Sequence, residues 1–212
     1  MDFVFDPSLV LYLPLYELDG ASFMSKDARG HLCTVTGALW RPNGHYFDGT
    51  NDYIDCGSSS EFDITSEITF GGWIKPSGVA SNVYIMSKDN PGVGQAYGLR
   101  QVTTAIQTQM RIGGDWKQIS SSGLTLTTTE FFCVEVTFDG STITVFANGG
   151  VSNTGAASGA IGTSSYNVFL GRKANANADN YGGLISEFWL YNRALTPQEI
   201  QHNYLATKWR YR

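Results

Sequence analysis

Apolar and polar positions along this chain alternate with a period of two in short runs, and turn residues separate the runs. A strand that buries one face needs that period, so the pattern predicts strands rather than helices. Residues 81 to 148 divide into hairpins with strands at 83–88, 95–101, 105–112, 116–119, 131–138 and 142–148. Asp89-Asn90-Pro91-Gly92, Gly113-Gly114-Asp115 and Asp139-Gly140 supply the turns. Strands at this spacing predict an antiparallel sandwich. The Ser/Thr/Gly/Ala-rich stretch 152–165 has no such alternation and reads as a loop, with strands resuming at Tyr166.

Near the C-terminus the pattern changes. Residues 184–191 form an apolar and aromatic run of strand character, after which Thr196, Pro197 and Glu199 stand at the N-cap, first and third positions of a helix. The Thr hydroxyl and the Glu carboxylate can each satisfy an orphan amide, so one short helix is expected near residues 197–206. The run from Gly182 through Ser186-Glu187 to Tyr191-Asn192-Arg193-Ala194-Leu195 and Glu199-Ile200 resembles the closing signature of laminin G-like modules in the concanavalin A-like lectin and glucanase superfamily. Leu9-Val10-Leu11-Tyr12-Leu13-Pro14-Leu15 is similar to the opening strand of that family, and Tyr46-Phe47-Asp48-Gly49-Thr50-Asn51-Asp52-Tyr53-Ile54 to its "F-D-G-x-x-D-Y" turn. Ile68-Thr69-Phe70-Gly71-Gly72-Trp73-Ile74-Lys75-Pro76 and Leu170-Gly171-Arg172 add further matches. The resemblance implies an all-β, two-sheet antiparallel jelly roll with one short C-terminal helix. It implies little about function, because the superfamily holds lectins, adhesion modules, pentraxins and glucanases. Phe131 stands where relatives commonly have Trp, a change that core packing tolerates.

Composition fits that fold. A chain of 212 residues suits a single domain over 1–212, and its 24 glycines with 13% aromatic and 16% charged residues describe strands and tight turns. The net charge of -5 argues against a phosphate-binding surface, so nucleic acid is not an expected partner. Cys33, Cys56 and Cys133, odd in number, lack metal or redox spacing and read as buried free thiols rather than a disulfide. The start, Met1-Asp2-Phe3-Val4-Phe5-Asp6-Pro7, is acidic where a secretory leader would be basic, and Pro14 and Glu17 interrupt the apolar stretch after it. Neither a signal peptide nor a membrane span is expected. A role outside a cell would then need another route of release, for example on a virus particle.

Alternation in the middle hairpins says which side chains face outward. With Tyr97, Leu99, Ile106, Met110, Ile112 and Ile119 in the core, Arg100, Gln107, Gln109, Arg111, Trp116 and Gln118 share the opposite face. Amides and guanidinium groups pair with vicinal hydroxyls, and an indole packs on sugar C–H groups, so this face is a candidate glycan site. A solvated face, or one covered by a loop or a subunit, fits the same residues.

Other chemistry is weaker. Glucanases of the superfamily place carboxylates as E-x-D-x-x-E on one strand. In Glu61-Phe62-Asp63-Ile64-Thr65-Ser66-Glu67 the third carboxylate comes one residue late, in a loop before Ile68, so no catalytic residue is assigned. Gly92-Val93-Gly94 sits in a hairpin turn and is not a nucleotide loop, and His31, His45 and His202 lack zinc spacing. The resemblance implies a structural calcium ion held partly by an Asp at the position of Ser186. Losing that ligand weakens such a site, although Asp27, Asp48 and Asp52 could supply oxygens. Asp48 and Asp52 equally suit a turn that they fix by accepting local amides. Trp40, Trp73, Trp189 and Trp209 read as packing residues, and Lys208-Trp209-Arg210-Tyr211-Arg212 as a docking segment for a subunit or acidic partner, or a frayed helix end. Together these features favour a noncatalytic, lectin-like module whose partner is a glycan. The alternative is a structural or adhesion protein that assembles with copies of itself or other proteins on a virion surface or fibre, and a glycoside hydrolase comes third.

Overall fold

A computed structural model describes residues 6–88, 96–174 and 179–211. It is built on two antiparallel sheets packed face to face. Sheet A runs in the order β14 (Gly150–Ala156), β13 (Thr142–Ala147), β12 (Phe132–Phe138), β7 (Ile68–Pro76), β16 (Gly182–Tyr191), β5 (Gly44–Asp48) and β4 (Leu39–Arg41). β1 (Leu9–Pro14) lies end to end with β5 along one edge of β16. Sheet B runs in the order β11 (Asp115–Ser120), β10 (Ala105–Ile112), β9 (Tyr97–Thr103), β8 (Ala80–Ser87), β15 (Phe169–Leu170), β6 (Tyr53–Asp55), β3 (Leu32–Thr36) and β2 (Ser22–Met24). The chain crosses repeatedly between the sheets, as the jelly-roll expectation requires. Asp89-Asn90-Pro91-Gly92 and Gly92-Val93-Gly94 lie outside the described residues.

Phe47, Ile54, Phe70, Tyr97, Leu99, Ile106, Met110, Phe138 and Phe188 fill the space between the sheets. Each such side chain contributes roughly 1.5–3 kcal/mol on leaving water. A second apolar cluster covers the outer face of sheet A, where Trp73, Phe146, Trp189 and Tyr191 meet Ile200 and Tyr211. That layer explains why β12 is buried along its whole length, with no alternation. Helix α1 (Pro197–Thr207) starts at a complete capping box, in which Thr196 Oγ1 accepts the Glu199 amide and the Glu199 carboxylate accepts the Thr196 amide. Arg193 clamps the same turn, donating to both Glu199 oxygens and to Asp6. Its guanidinium hydrogen bonds hold the Glu199 carboxyl down at about 2.

Three sequence expectations need correction. Residues 150–156, within and just before the stretch read as a loop, form edge strand β14. Backbone pairing to β13 makes that strand, and its side chains are small and largely solvated, so no apolar alternation marks it. The C-terminal segment does not fray over its described residues. A 3-10 turn over Lys208–Tyr211 folds back on sheet A, where Tyr211 stacks on Trp73 with ring centroids 4.3 Å apart and Arg210 donates to Glu187. Among the tryptophans, Trp73 and Trp189 are buried, but Trp40 and Trp209 are exposed.

Candidate functional site

β10 is the spine of the outward face of sheet B. Arg111 pairs with Trp116 on β11, Gln109 with Gln118, and Gln107 with Ser120. On the other side Gln107 pairs with Arg100 and Gln109 with Gly98 of β9. Residues opposed across an antiparallel pair project to the same side, so the register gathers all six predicted residues on one face. Tyr97, Leu99, Ile106, Met110 and Ile112 project to the other side, into the core. The β10–β11 connection is Gly113-Gly114, both at positive φ (60° and 87°), which suits a two-residue hairpin turn and keeps Arg111 and Trp116 in register.

The polar heads are unequally engaged. Arg100 Nε donates to Gln107 Oε1 at 2.9 Å, and Gln107 Nε2 donates to Ser120 Oγ at 2.7 Å. The Tyr84 hydroxyl donates to Gln109 Oε1 at 2.7 Å, so Gln109 is outward-facing but buried beneath a ring. Among the described residues the Arg111, Trp116 and Gln118 side chains make no hydrogen bond, and all three reach solvent. One end of the face thus carries unengaged donors beside an indole, on a floor whose amides are already fixed.

Sequence reasoning missed the other wall. Phe169 pairs with Ser87, which pairs with Gly98, so the Phe169 ring lies on the same face. The Arg172 guanidinium carbon sits 3.9 Å from the Tyr53 ring centroid and 4.2 Å from that of Phe169. Lys173 Nζ lies 5.9 Å from the Tyr84 ring centroid and 3.6 Å from Asp179 Oδ2. A bulge between Tyr84 and Met86 sets which of these residues turns outward, and no residue pattern announces it.

The remaining acidic candidates are dispersed. Glu61 lies on a 3-10 turn (Ser60–Phe62) and pairs with Arg29, with His31 Nε2 3.4 Å away. Asp63 binds Lys88 Nζ at 3.1 Å, and Glu67 accepts the Ala194 amide at 3.4 Å. Two buried carboxylates that the sequence did not suggest, Glu135 and Glu187, lie under the C-terminal segment. Glu135 accepts from the Trp189 indole, and Glu187 from the Tyr12 hydroxyl and Arg210. Each is 1% exposed, which closes them to a substrate.

The three carboxylates considered for calcium do not form one donor set. Asp27 accepts the amides of Tyr12, Arg29 and Gly30. Asp48 Oδ1 accepts the amides of Thr50 and Asn51, and Asp52 Oδ2 accepts that of Asp48 at 2.8 Å. Burial, then the nearby Asp48 charge, raises the Asp52 carboxyl above its ordinary value, although the Asp48 amide works against the shift. Among the described residues no three His, Cys, Asp or Glu side chains gather as metal ligands.

A family model for the concanavalin A-like lectin/glucanase superfamily, of laminin G type, matches residues 48–201. The comparison with curated proteins finds no match to the sequence. Among solved structures, the binding domain of Paraclostridial Mosquitocidal Protein 1 superposes with a TM-score of 0.75 at 13% identity, over 94% of this chain and 52% of that one. A botulinum neurotoxin serotype D ligand-binding domain solved with N-acetylneuraminic acid gives 0.73 at 14%, over 94% and 51%. A Trypanosoma rangeli sialidase with sialic acid gives 0.72 at 16%, over 98% and 34%. The chain therefore spans about half the length of these toxin domains and about a third of the sialidase. At such identities the likeness concerns the fold. Among the described residues no helix is long and apolar enough to cross a membrane.

Proposed function

The chain belongs to the laminin G-like part of the concanavalin A-like lectin/glucanase superfamily, and on that premise we propose that it is a noncatalytic glycan-binding module. One observation supports this reading: Arg111 and Trp116 face each other across β10 and β11, with Gln118 alongside, and among the described residues none of the three side chains makes a hydrogen bond. An indole offers a flat apolar surface for sugar C–H groups, while guanidinium and amide donors beside it meet ring hydroxyls. Gln109, buried and held by Tyr84, stiffens the floor beneath them, which lowers the ordering cost of binding.

Charge narrows the ligand. Arg100, Arg111 and Arg172 have no carboxylate partner among the described residues, in a chain of net charge -5. A face on which these three arginines outnumber the one unpaired carboxylate among the described residues, Asp55 opposite Phe169, favours a glycan bearing carboxylate or sulfate groups over a neutral one. The sialic acid ligands of the serotype D domain and of the sialidase agree with that chemistry. A glycan array with matched neutral and acidic oligosaccharides tests the reading. Salt-sensitive binding to acidic glycans that Arg111→Gln weakens is expected. Binding to none, or binding unchanged in Arg111→Gln and Trp116→Ala, overturns it.

A further inference from the structure

All three cysteines are buried and free, but two of them are neighbours. β3 and β6 pair antiparallel, with Thr34 opposite Asp55, Val35 opposite Ile54 and Thr36 opposite Tyr53. One step further along this register sets Cys33 directly opposite Cys56. The Cys56 amide donates to Val168, on the far side of β6 from β3, so the two cysteines form a non-hydrogen-bonded pair. In such pairs the Cα atoms stand about 4.5 Å apart, within the range a disulfide spans. Both side chains turn into the core, where the Cys33 thiol donates to the His31 carbonyl at 3.7 Å and its nearness, with burial, raises the Cys56 thiol above its ordinary value. Cys133 is remote, under the C-terminal segment, with its thiol directed at Glu135.

We infer that Cys33 and Cys56 form a cross-strand disulfide when the folding chain meets a disulfide oxidant such as oxidised glutathione. One protein thiol, deprotonated, attacks oxidised glutathione and displaces glutathione thiolate, giving a mixed disulfide. The second thiolate then attacks the protein sulfur and displaces the second glutathione. Two protein thiols lose their protons, and two electrons reduce one oxidised glutathione to two thiols. The bond closes the excursion in which the chain leaves sheet B after β3, makes β4 and β5 of sheet A, and returns as β6. It therefore locks β3 to the end of β6 within sheet B and fixes both ends of the β4–β5 excursion, at the edge where the three-residue β2 is the only strand beyond β3 among the described residues. The bond forms during folding or through opening of that edge, since both thiols are sealed in the finished core.

The full chain, unfolded in urea, is refolded in a glutathione redox buffer, alkylated and mapped by mass spectrometry. The expected product lacks two hydrogens, links the Cys33 and Cys56 peptides and leaves Cys133 alkylated. Its Tm rises on the order of 5–10 °C over the reduced form. The rise persists in Cys133→Ser and disappears in Cys56→Ala. Full alkylation of all three cysteines at an oxidising poise, or a bond that includes Cys133, overturns the inference, and the wild-type map decides this even if a variant fails to fold.

Discussion

The indole N–H of Trp189 donates to Oε1 of Glu135 at 2.9 Å, and Cys133 Sγ lies 3.8 Å from the other carboxyl oxygen. Burial raises this carboxyl from 4.5 to about 8, against the two hydrogen bonds that would lower it. The folded protein therefore holds this proton more tightly than the unfolded chain does. The stability it contributes is complete below about pH 4.5 and is lost as pH rises through about 8.

Glu135→Gln should consequently match the wild type near pH 5 and become the more stable of the two by pH 8. The gain should approach about 1 kcal/mol per pH unit across that window. Thermal melts of both proteins from pH 5 to 9 give the comparison. Glu187, also raised by burial, is present in both and cancels in the difference. A constant offset across the range would mean that Glu135 titrates outside it.

Arg210 carries the charge that balances Glu187, donating to Oε1 at 3.0 Å while its guanidinium carbon lies 3.9 Å from the Tyr16 ring centroid. Arg210→Met keeps much of the packing but strands a buried carboxylate, and should cost about 3 kcal/mol in urea unfolding at neutral pH. The loss should shrink in acid as Glu187 takes up a proton. A loss that does not depend on pH would assign the contact to packing.

Trp116 offers a clean separation of binding from folding. Its ring is half-buried at the end of the sheet B face, so Trp116→Ala should cost stability only about 1 kcal/mol. Glycan binding should fall by about 1–3 kcal/mol as the stacking surface disappears. Calorimetry of unfolding and of binding measure the two effects separately. A large fall in Tm with binding unchanged would make the indole a structural residue.

Calcium should matter little. Asp27, Asp48 and Asp52 already accept backbone amides, and they do so in two separate turns. Millimolar calcium or a chelator should therefore move Tm by less than about 2 °C. A larger rise with calcium would call for another set of oxygens.

The sequence was most informative where structure is local. The capping box is legible because Thr196 and Glu199 lie within one turn, and the β10–β11 face because strict alternation meets a Gly-Gly turn. Edge strand β14 escaped notice because its stability lies in backbone pairing between residues of little apolar character. The Tyr84 wall depends on a bulge, and the Arg210–Glu187 contact joins residues whose proximity arises only after sheet A and helix α1 have packed. The Cys33–Cys56 pairing escaped for a similar reason, since strand register sets it and sequence spacing does not.

The position of β16 has a consequence for how the protein is made. Residues 182–191 leave a ribosome after every other strand of the two sheets, yet β7 takes one edge of this strand while β1 and β5 share the other. Until those residues emerge, the growing chain holds three strands of sheet A whose shared partner does not yet exist. Sheet A must therefore close after translation has passed residue 191, and an interrupted chain would display unpaired apolar edges to its neighbours. Products stalled or truncated before that point should be poorly soluble and in need of chaperones, a demand that lapses once β16 is seated.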